Sequence, residues 1–124
     1  MSLPAKRYAD VLVVPLAGRI DHTVCESLLA ELLPHAASCR SDGDALLLDM
    51  QHLEYISSAG LRVLMLLSKE VRPRGGRVAV ASLQEVVREI FDITKFSALF
   101  PIHADTPAAL AALSDAAARA YAAA

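Results

Sequence analysis

Ser57 and Ser58 stand where one apolar run gives way to another, and they are the residues best placed for a chemical event. The segment Ile56-Ser57-Ser58-Ala59-Gly60-Leu61 separates Ala45–Met50, apolar except for Asp49, from the apolar Leu61–Leu67. The first run has the length of a strand covered on both faces, and the second continues as a helix. Serine is among the best helix N-caps, because its hydroxyl accepts an orphan backbone N–H of the first turn. Ala59 and Gly60 are small, so the backbone there can be approached closely from outside. A helix N-terminus also gathers free N–H groups and the positive end of the helix dipole, which favours a phosphate. Two readings of Ser58 stay open on these residues alone: a helix cap and nothing more, or part of a favourable place for a phosphate.

A catalytic reading finds no constellation. Asp21, Asp49, Glu54 and Ser58 could be imagined as acid, base and nucleophile, but no histidine has a motif-supported place beside Ser58 to activate it. There is no G-x-S-x-G, no Walker loop and no glycine-rich phosphate cradle, and Gly75-Gly76 reads as a turn. His22, His35, His52 and His103 are dispersed, and the spacing of Cys25 and Cys39 matches no metal or disulfide pattern. The expectation is a protein without catalytic residues, metal or cofactor.

The serines must be positioned by the elements around them. Asp10–Ile20 is rich in β-branched residues and reads as a strand, with Pro15 marking an edge or a bulge. Ala5–Tyr8 reads as a short leading strand. Asp21 caps a helix from about His22 to Cys39, with Val24, Leu28, Leu32, Leu29 and Leu33 at helical spacing and Pro34 as a kink or stop. Ser41-Asp42-Gly43-Asp44 is a turn before the central strand Ala45–Met50. The central helix opens at Ser58 and reaches about Arg72, where Arg72-Pro73-Arg74-Gly75-Gly76 stops it. Arg77–Ala81 is a short buried strand. Ser82-Leu83-Gln84-Glu85 reads as a capping box, opening a helix that turns Val86, Val87, Ile90 and Phe91 inward. Ala98–Ile102 is a last strand, and Thr106-Pro107 starts a final helix that runs through the alanines toward Ala124.

Strands alternating with helices at short spacing call for an α/β fold. The expected form is a mixed, mostly parallel sheet of four to five strands packed with about four helices. Leu47, Val63, Leu67, Val80 and Ile90 are expected in its core. The 124 residues fit a single domain over 1–124, with a core at about 10–113 and an alanine-rich helix after it. Hydrophobic residues make up 55% but aromatics only 5%, and Trp is absent, so the core must be aliphatic. A formal net charge of -2 with scattered Lys and Arg offers no basic stripe for nucleic acid. No apolar run reaches the roughly 18–20 residues of a membrane span, which argues against membrane insertion. MSLPAKRY lacks the apolar core of a signal peptide, so a cytoplasmic location is expected.

The stretch DMQHLEYISSAGLRVLMLL resembles the signature of the STAS domain (sulphate transporter and anti-sigma factor antagonist), in the form carried by free-standing bacterial anti-sigma factor antagonists. In that family a strand ends in an Asp-rich connection, and Asp-Ser-[Ser/Thr/Ala]-Gly-Leu then opens a helix. The serine two places before the glycine is phosphorylated by a partner kinase. Counting back from Gly60 carries that role to Ser58, with Ser57 the less favoured acceptor; Ser57 stands where the family has aspartate. GRIDHT is similar to the family's Gly-x-[Leu/Ile]-Asp segment. VREIFDITKFSALFPIHADTPAALAAL is similar to its C-terminal third, where the family often has Gly or a small residue at the Lys95 position. The resemblance spans roughly Asp10 to Leu113.

The resemblance implies an anti-sigma factor antagonist. Its unphosphorylated form binds an anti-sigma factor serine kinase and frees a sigma factor, and a cognate phosphatase restores that form. The partner surface implied comprises Asp21, Ser57, Ala59, Gly60, Arg62 and Leu66. Asp21 keeps two readings, a helix cap or a residue that supports kinase recognition. Arg62, Met65, Leu66 and Lys69 share one side of the central helix; Met65 reads as core, and Leu66 beside Arg62 and Lys69 as a partner-facing patch. The alternative is a structural STAS module that docks in a signalling or transport complex without being phosphorylated. Homodimer formation stays open.

Overall fold

Ala45, Leu46, Leu47 and Leu48 are all fully buried, although neighbouring residues of a strand point to opposite faces. Their strand is the middle one of a sheet covered on both sides. A computed structural model describes residues 4–124. The strands are β1 (Lys6–Tyr8), β2 (Val11–Ile20), β3 (Ala45–Ile56), β4 (Val78–Ala81) and β5 (Ile102–His103). The helices are α1 (Cys25–Ala36), α2 (Ser58–Val71), α3 (Glu85–Ile93), α4 (Thr106–Leu113) and α5 (Asp115–Ala123). The strands form one sheet in the order β1-β2-β3-β4-β5. β1 is antiparallel to β2, and the remaining pairs are parallel. The α/β class and the mostly parallel sheet are as expected, with five helices rather than about four.

The two faces are packed differently. On one, Leu46 and Leu48 meet Leu28 and Leu32 of α1, Leu64 and Leu67 of α2, and Val87 and Phe91 of α3. On the other, Val11, Val13 and Leu47 meet Ala109 and Leu110 of α4 and Ala117 of α5. Alanine at those contacts lets α4 and α5 lie close to the sheet. Of the five residues expected in the core, Leu47, Val63, Leu67 and Val80 are buried, and Ile90 packs against the core while partly exposed.

β3 does not stop at Met50. It runs through Gln51, His52, Leu53, Glu54, Tyr55 and Ile56, because β2 keeps pairing with it as far as Ile20 opposite Ile56. Asp49 therefore lies inside the strand, where its carboxylate accepts the Gln51 N–H at 3.0 Å. Pro15 lies past the residues that pair with β1, and the β2–β3 register shifts between Pro15 and Ala17. Arg7 anchors β1 to the segment before β3 through Asp44, 2.6 Å away. That guanidinium and the Ser38 hydroxyl hold the Asp44 carboxyl below the usual carboxylate range.

Several boundaries depart from expectation for local backbone reasons. α1 starts at Cys25, with Val24 at its N-cap and Asp21 outside it; it ends at Ala36, since Pro34 is tolerated in the last turn. Leu33 turns outward. Ser82 is left-handed (φ 63), so no capping box forms, and Gln84 takes the N-cap position of α3. Val86 is 53% exposed rather than inward. The last strand is only Ile102–His103, because Phe96–Ala98 forms a 3-10 turn. Asp105, not Thr106, caps α4, accepting the Ala108 N–H at 2.9 Å. The alanine tail forms two helices, broken at Ser114, whose hydroxyl caps α5 by accepting the Ala117 N–H.

Leu67 faces the core of the α1–α3 side, and Leu66, next to it, is 37% exposed. Leu67→Ala should therefore cost about 2–5 kcal/mol in denaturant unfolding. Leu66→Ala should stay within about 0.5 kcal/mol of wild type. Equal losses would show that the faces of α2 are misassigned.

Candidate functional site

The site begins where two parallel strands end together. Ile20 pairs with Ile56, and the Ser57 N–H still donates to the Ile20 carbonyl at 2.8 Å. The backbone at Ser57 is extended (φ -81, ψ 171) and then turns into α2. This conformation makes Ser57 the N-cap. Its Oγ accepts the Gly60 N–H at 3.2 Å, and its carbonyl accepts the Leu61 N–H at 2.9 Å. The cap reading of Ser58 is thus corrected by one residue. Ser58 is the first residue of the helix and is exposed; Ser57 is half-buried. The hydroxyl that stabilises the helix and the hydroxyl that faces solvent belong to different serines.

Gly60 explains the seating of this turn. It is buried, and a Cβ there would come within 2.7 Å of Ile56 Cγ1 and 2.8 Å of Ile20 Cγ2. Both atoms belong to stiff β-branched side chains at the ends of the paired strands. The close approach at Gly60 is therefore made from the core side, not from outside. Ala59 beside it is half-exposed.

From Ser58 a shallow apolar groove runs along α2. Leu61, Met65 and Leu66 form one wall, and Thr94 and Phe96 form the other. Arg62 and Lys69 stand at its rim. The structure thus gathers Ser58, Arg62 and Leu66 as the spacing indicated, and it places Met65 in the groove rather than in the core. Thr94 and Phe96 were not foreseen. Their signal is Lys95, left-handed at φ 67, a position where the resembled family often has Gly or a small residue. That turn directs Phe96 back toward Phe91, with ring centroids 6.0 Å apart.

Asp21 and Ser57 directly follow the paired Ile20 and Ile56, so they leave the sheet side by side. Asp21 lies outside the groove and caps no helix. Its carboxylate accepts the Thr23 hydroxyl and the Thr23 backbone N–H, the latter at 2.9 Å. Those two bonds hold it below the usual carboxylate range, so it is ionised at neutral pH. Asp49 belongs elsewhere, in a depression with Tyr8 and Tyr121 on the side covered by α5. Cys25 and Cys39 are free thiols. Among the described residues, no three His, Cys, Asp or Glu side chains are placed to hold a metal ion, and no helix is long and apolar enough to cross a membrane.

What the arrangement offers chemically is an exposed hydroxyl at a helix N-terminus. A phosphate on Ser58 would sit at the positive end of the α2 dipole, near orphan N–H groups of the first turn. The fold would not have to surrender its cap to receive it.

Comparisons with known proteins agree with this placement of elements. The STAS domain family model matches residues 2–109. The candidate anti-sigma factor antagonist BtrV of Bordetella bronchiseptica is 36% identical over 116 residues, spanning 94% of this chain and 97% of its own. An anti-sigma-factor antagonist (STAS) domain protein from Planctomyces limnophilus superposes with a TM-score of 0.82 at 19% identity, covering 92% of this chain and 99% of its own. The Bacillus cell fate determinant SpoIIAA, solved in its phosphorylated form, superposes with a TM-score of 0.67 at 15% identity, covering 91% and 100%. At such identities the structural likeness is one of fold.

The division of labour between the serines is measurable by thermal or denaturant unfolding. Ser57→Ala removes the cap and should cost about 0.5–2 kcal/mol. Ser57→Asp keeps an acceptor for the Gly60 N–H and should lie near wild type. Ser58→Ala should be close to neutral. A Ser58→Ala loss as large as that of Ser57→Ala would contradict the assignment of the cap.

Proposed function

Because the chain belongs to the STAS domain family, we propose that it is an anti-sigma factor antagonist switched by phosphorylation of Ser58. In this reading the unphosphorylated form binds an anti-sigma factor serine kinase, and the sigma factor is released. The kinase ends the association by transferring the γ-phosphoryl group of ATP to the Ser58 Oγ, releasing ADP and the hydroxyl proton. A cognate phosphatase restores the free hydroxyl.

One observation carries the choice of residue: Ser57 holds the helix cap, and Ser58 is left exposed on the first turn. Phosphorylation adds about -1.5 to -2 charge and a bulky acceptor group. At Ser58 that charge meets a favourable dipole, so its internal cost is low. A partner packed flat against the same turn would instead meet bulk and unpaired charge. The Ser57 hydroxyl is half-buried and already engaged with the Gly60 N–H, so it is the less accessible acceptor. Ser57 stands where the family has aspartate, and since serine and aspartate are comparable N-caps the start of the helix is kept. Asp21, ionised beside this end of the sheet, contributes negative charge to kinase recognition, and Ala59, Arg62 and Leu66 contribute contact surface.

Incubation with the cognate kinase and ATP, followed by phosphosite mapping, tests the reading. Phosphate should map to Ser58. Ser58→Ala should fold, resist phosphorylation and bind the kinase constitutively, while Ser58→Asp should fold and bind poorly. Phosphate on Ser57 with Ser58 intact would overturn the proposal, as would tight kinase binding by Ser58→Asp. Asp21→Asn should reduce phosphorylation more than it reduces melting temperature; a parallel loss of both would assign Asp21 a purely structural role.

A further inference from the structure

The groove beside Ser58 has a one-sided charge. Its floor and walls are apolar, through Leu61, Met65, Leu66 and Phe96. Its charged residues are Arg62 and Lys69, and no acidic side chain lines it. Among the described residues neither cation joins an ion pair. Cations left without a partner beside an exposed apolar floor complement an acidic, apolar segment.

Arg62 also has a particular relation to Ser58. The two are four residues apart on α2 and so lie one turn apart on the same face. Helical side chains lean toward the N-terminus and cover the preceding turn. Arg62 and Ser58 line the same groove, and an arginine at this spacing can reach the turn that carries Ser58. A guanidinium is the side chain best suited to pair with a phosphate through two parallel hydrogen bonds. Lys69 lies roughly 10 Å further along the helix from Arg62 and out of that reach.

We propose that Arg62 is contested by two anions: a carboxylate of the partner segment seated in the groove, and the phosphate of Ser58 once it is added. The proposal rests on the functional reading above and gives the switch its second half. In the unmodified protein Arg62 holds the acidic segment at the groove's mouth. After phosphorylation it pairs with its own helix's phosphate. The mouth then changes from about +1 to a net charge of about -0.5 to -1, which repels the segment it had held. Release thus follows from loss of an attraction as well as from the bulk of the phosphate.

Phosphoserine installed at position 58 during translation lets the pairing be measured without any partner. The second pKa of the phosphate, read by phosphorus NMR, should be higher in Arg62→Gln than in wild type by about 0.3 unit or more. Lys69→Gln should leave it unchanged. No difference between Arg62→Gln and wild type, or an equal shift from Lys69→Gln, would overturn the inference. Binding of the unmodified proteins to the cognate kinase supplies the second arm, with Arg62→Gln expected to bind about tenfold more weakly. If Arg62→Gln binds like wild type while Ser58→Asp does not, this inference falls and the proposed function stands. If Ser58→Asp also binds like wild type, the proposed function itself falls.

Discussion

The first turn of α2 sits directly on the ends of two paired strands, and the geometry of the site follows from that contact. Ile20 and Ile56 close β2 and β3 opposite one another, and Gly60 rests where their side chains leave no room for a Cβ. The helix can start there only if the chain turns immediately after Ile56. Ser57 makes the turn possible by staying extended, keeping its N–H on the Ile20 carbonyl and taking the Gly60 N–H on its hydroxyl. Once those bonds fix the helix, Ser58 has nowhere to point but outward. An exposed hydroxyl at a helix N-terminus is thus a consequence of how the strands end.

The rest of the fold keeps events at that hydroxyl away from the core. The inner face of α2, with Leu64, Leu67 and Val71, is buried against the sheet and α1, while its outer face forms the groove. Charge added at Ser58 falls on the outer side. In the proposed switch it would change what a partner meets without changing which residues pack inside. If the groove binds a partner as proposed, it needs no second conformation to be switched, because about -1.5 to -2 of charge at its edge is enough to alter its affinity.

Much of this was legible in the residues. The apolar run Ala45–Met50 had to be a doubly covered strand, and the small Gly60 marked the tight start of the helix after it. What escaped was decided by backbone geometry or by a neighbouring strand. The second half of β3 carries Gln51, His52 and Glu54, which read as a connection; β2 makes them a strand by supplying partners in register. Ser57 and Ser58 are chemically identical caps, and only the extended backbone at Ser57 separates them. The box at Ser82 failed because that residue is left-handed, and the break at Ser114 was hidden in a run of alanines that suits one helix as well as two. The groove's second wall was illegible for the same reason. Phe96 reaches α2 only through the left-handed turn at Lys95.

The central claim is that modification of Ser58 changes the surface while the Ser57–Gly60 cap and the core persist. Residue-resolved amide hydrogen exchange on the unmodified and Ser58-phosphorylated proteins reads this directly. The Gly60 amide should stay protected, and changes should be confined to the first turn of α2 and the groove. Loss of protection at Gly60, or changes spreading through β3 and β4, would mean that the phosphate acts by unseating the helix, and would contradict the account.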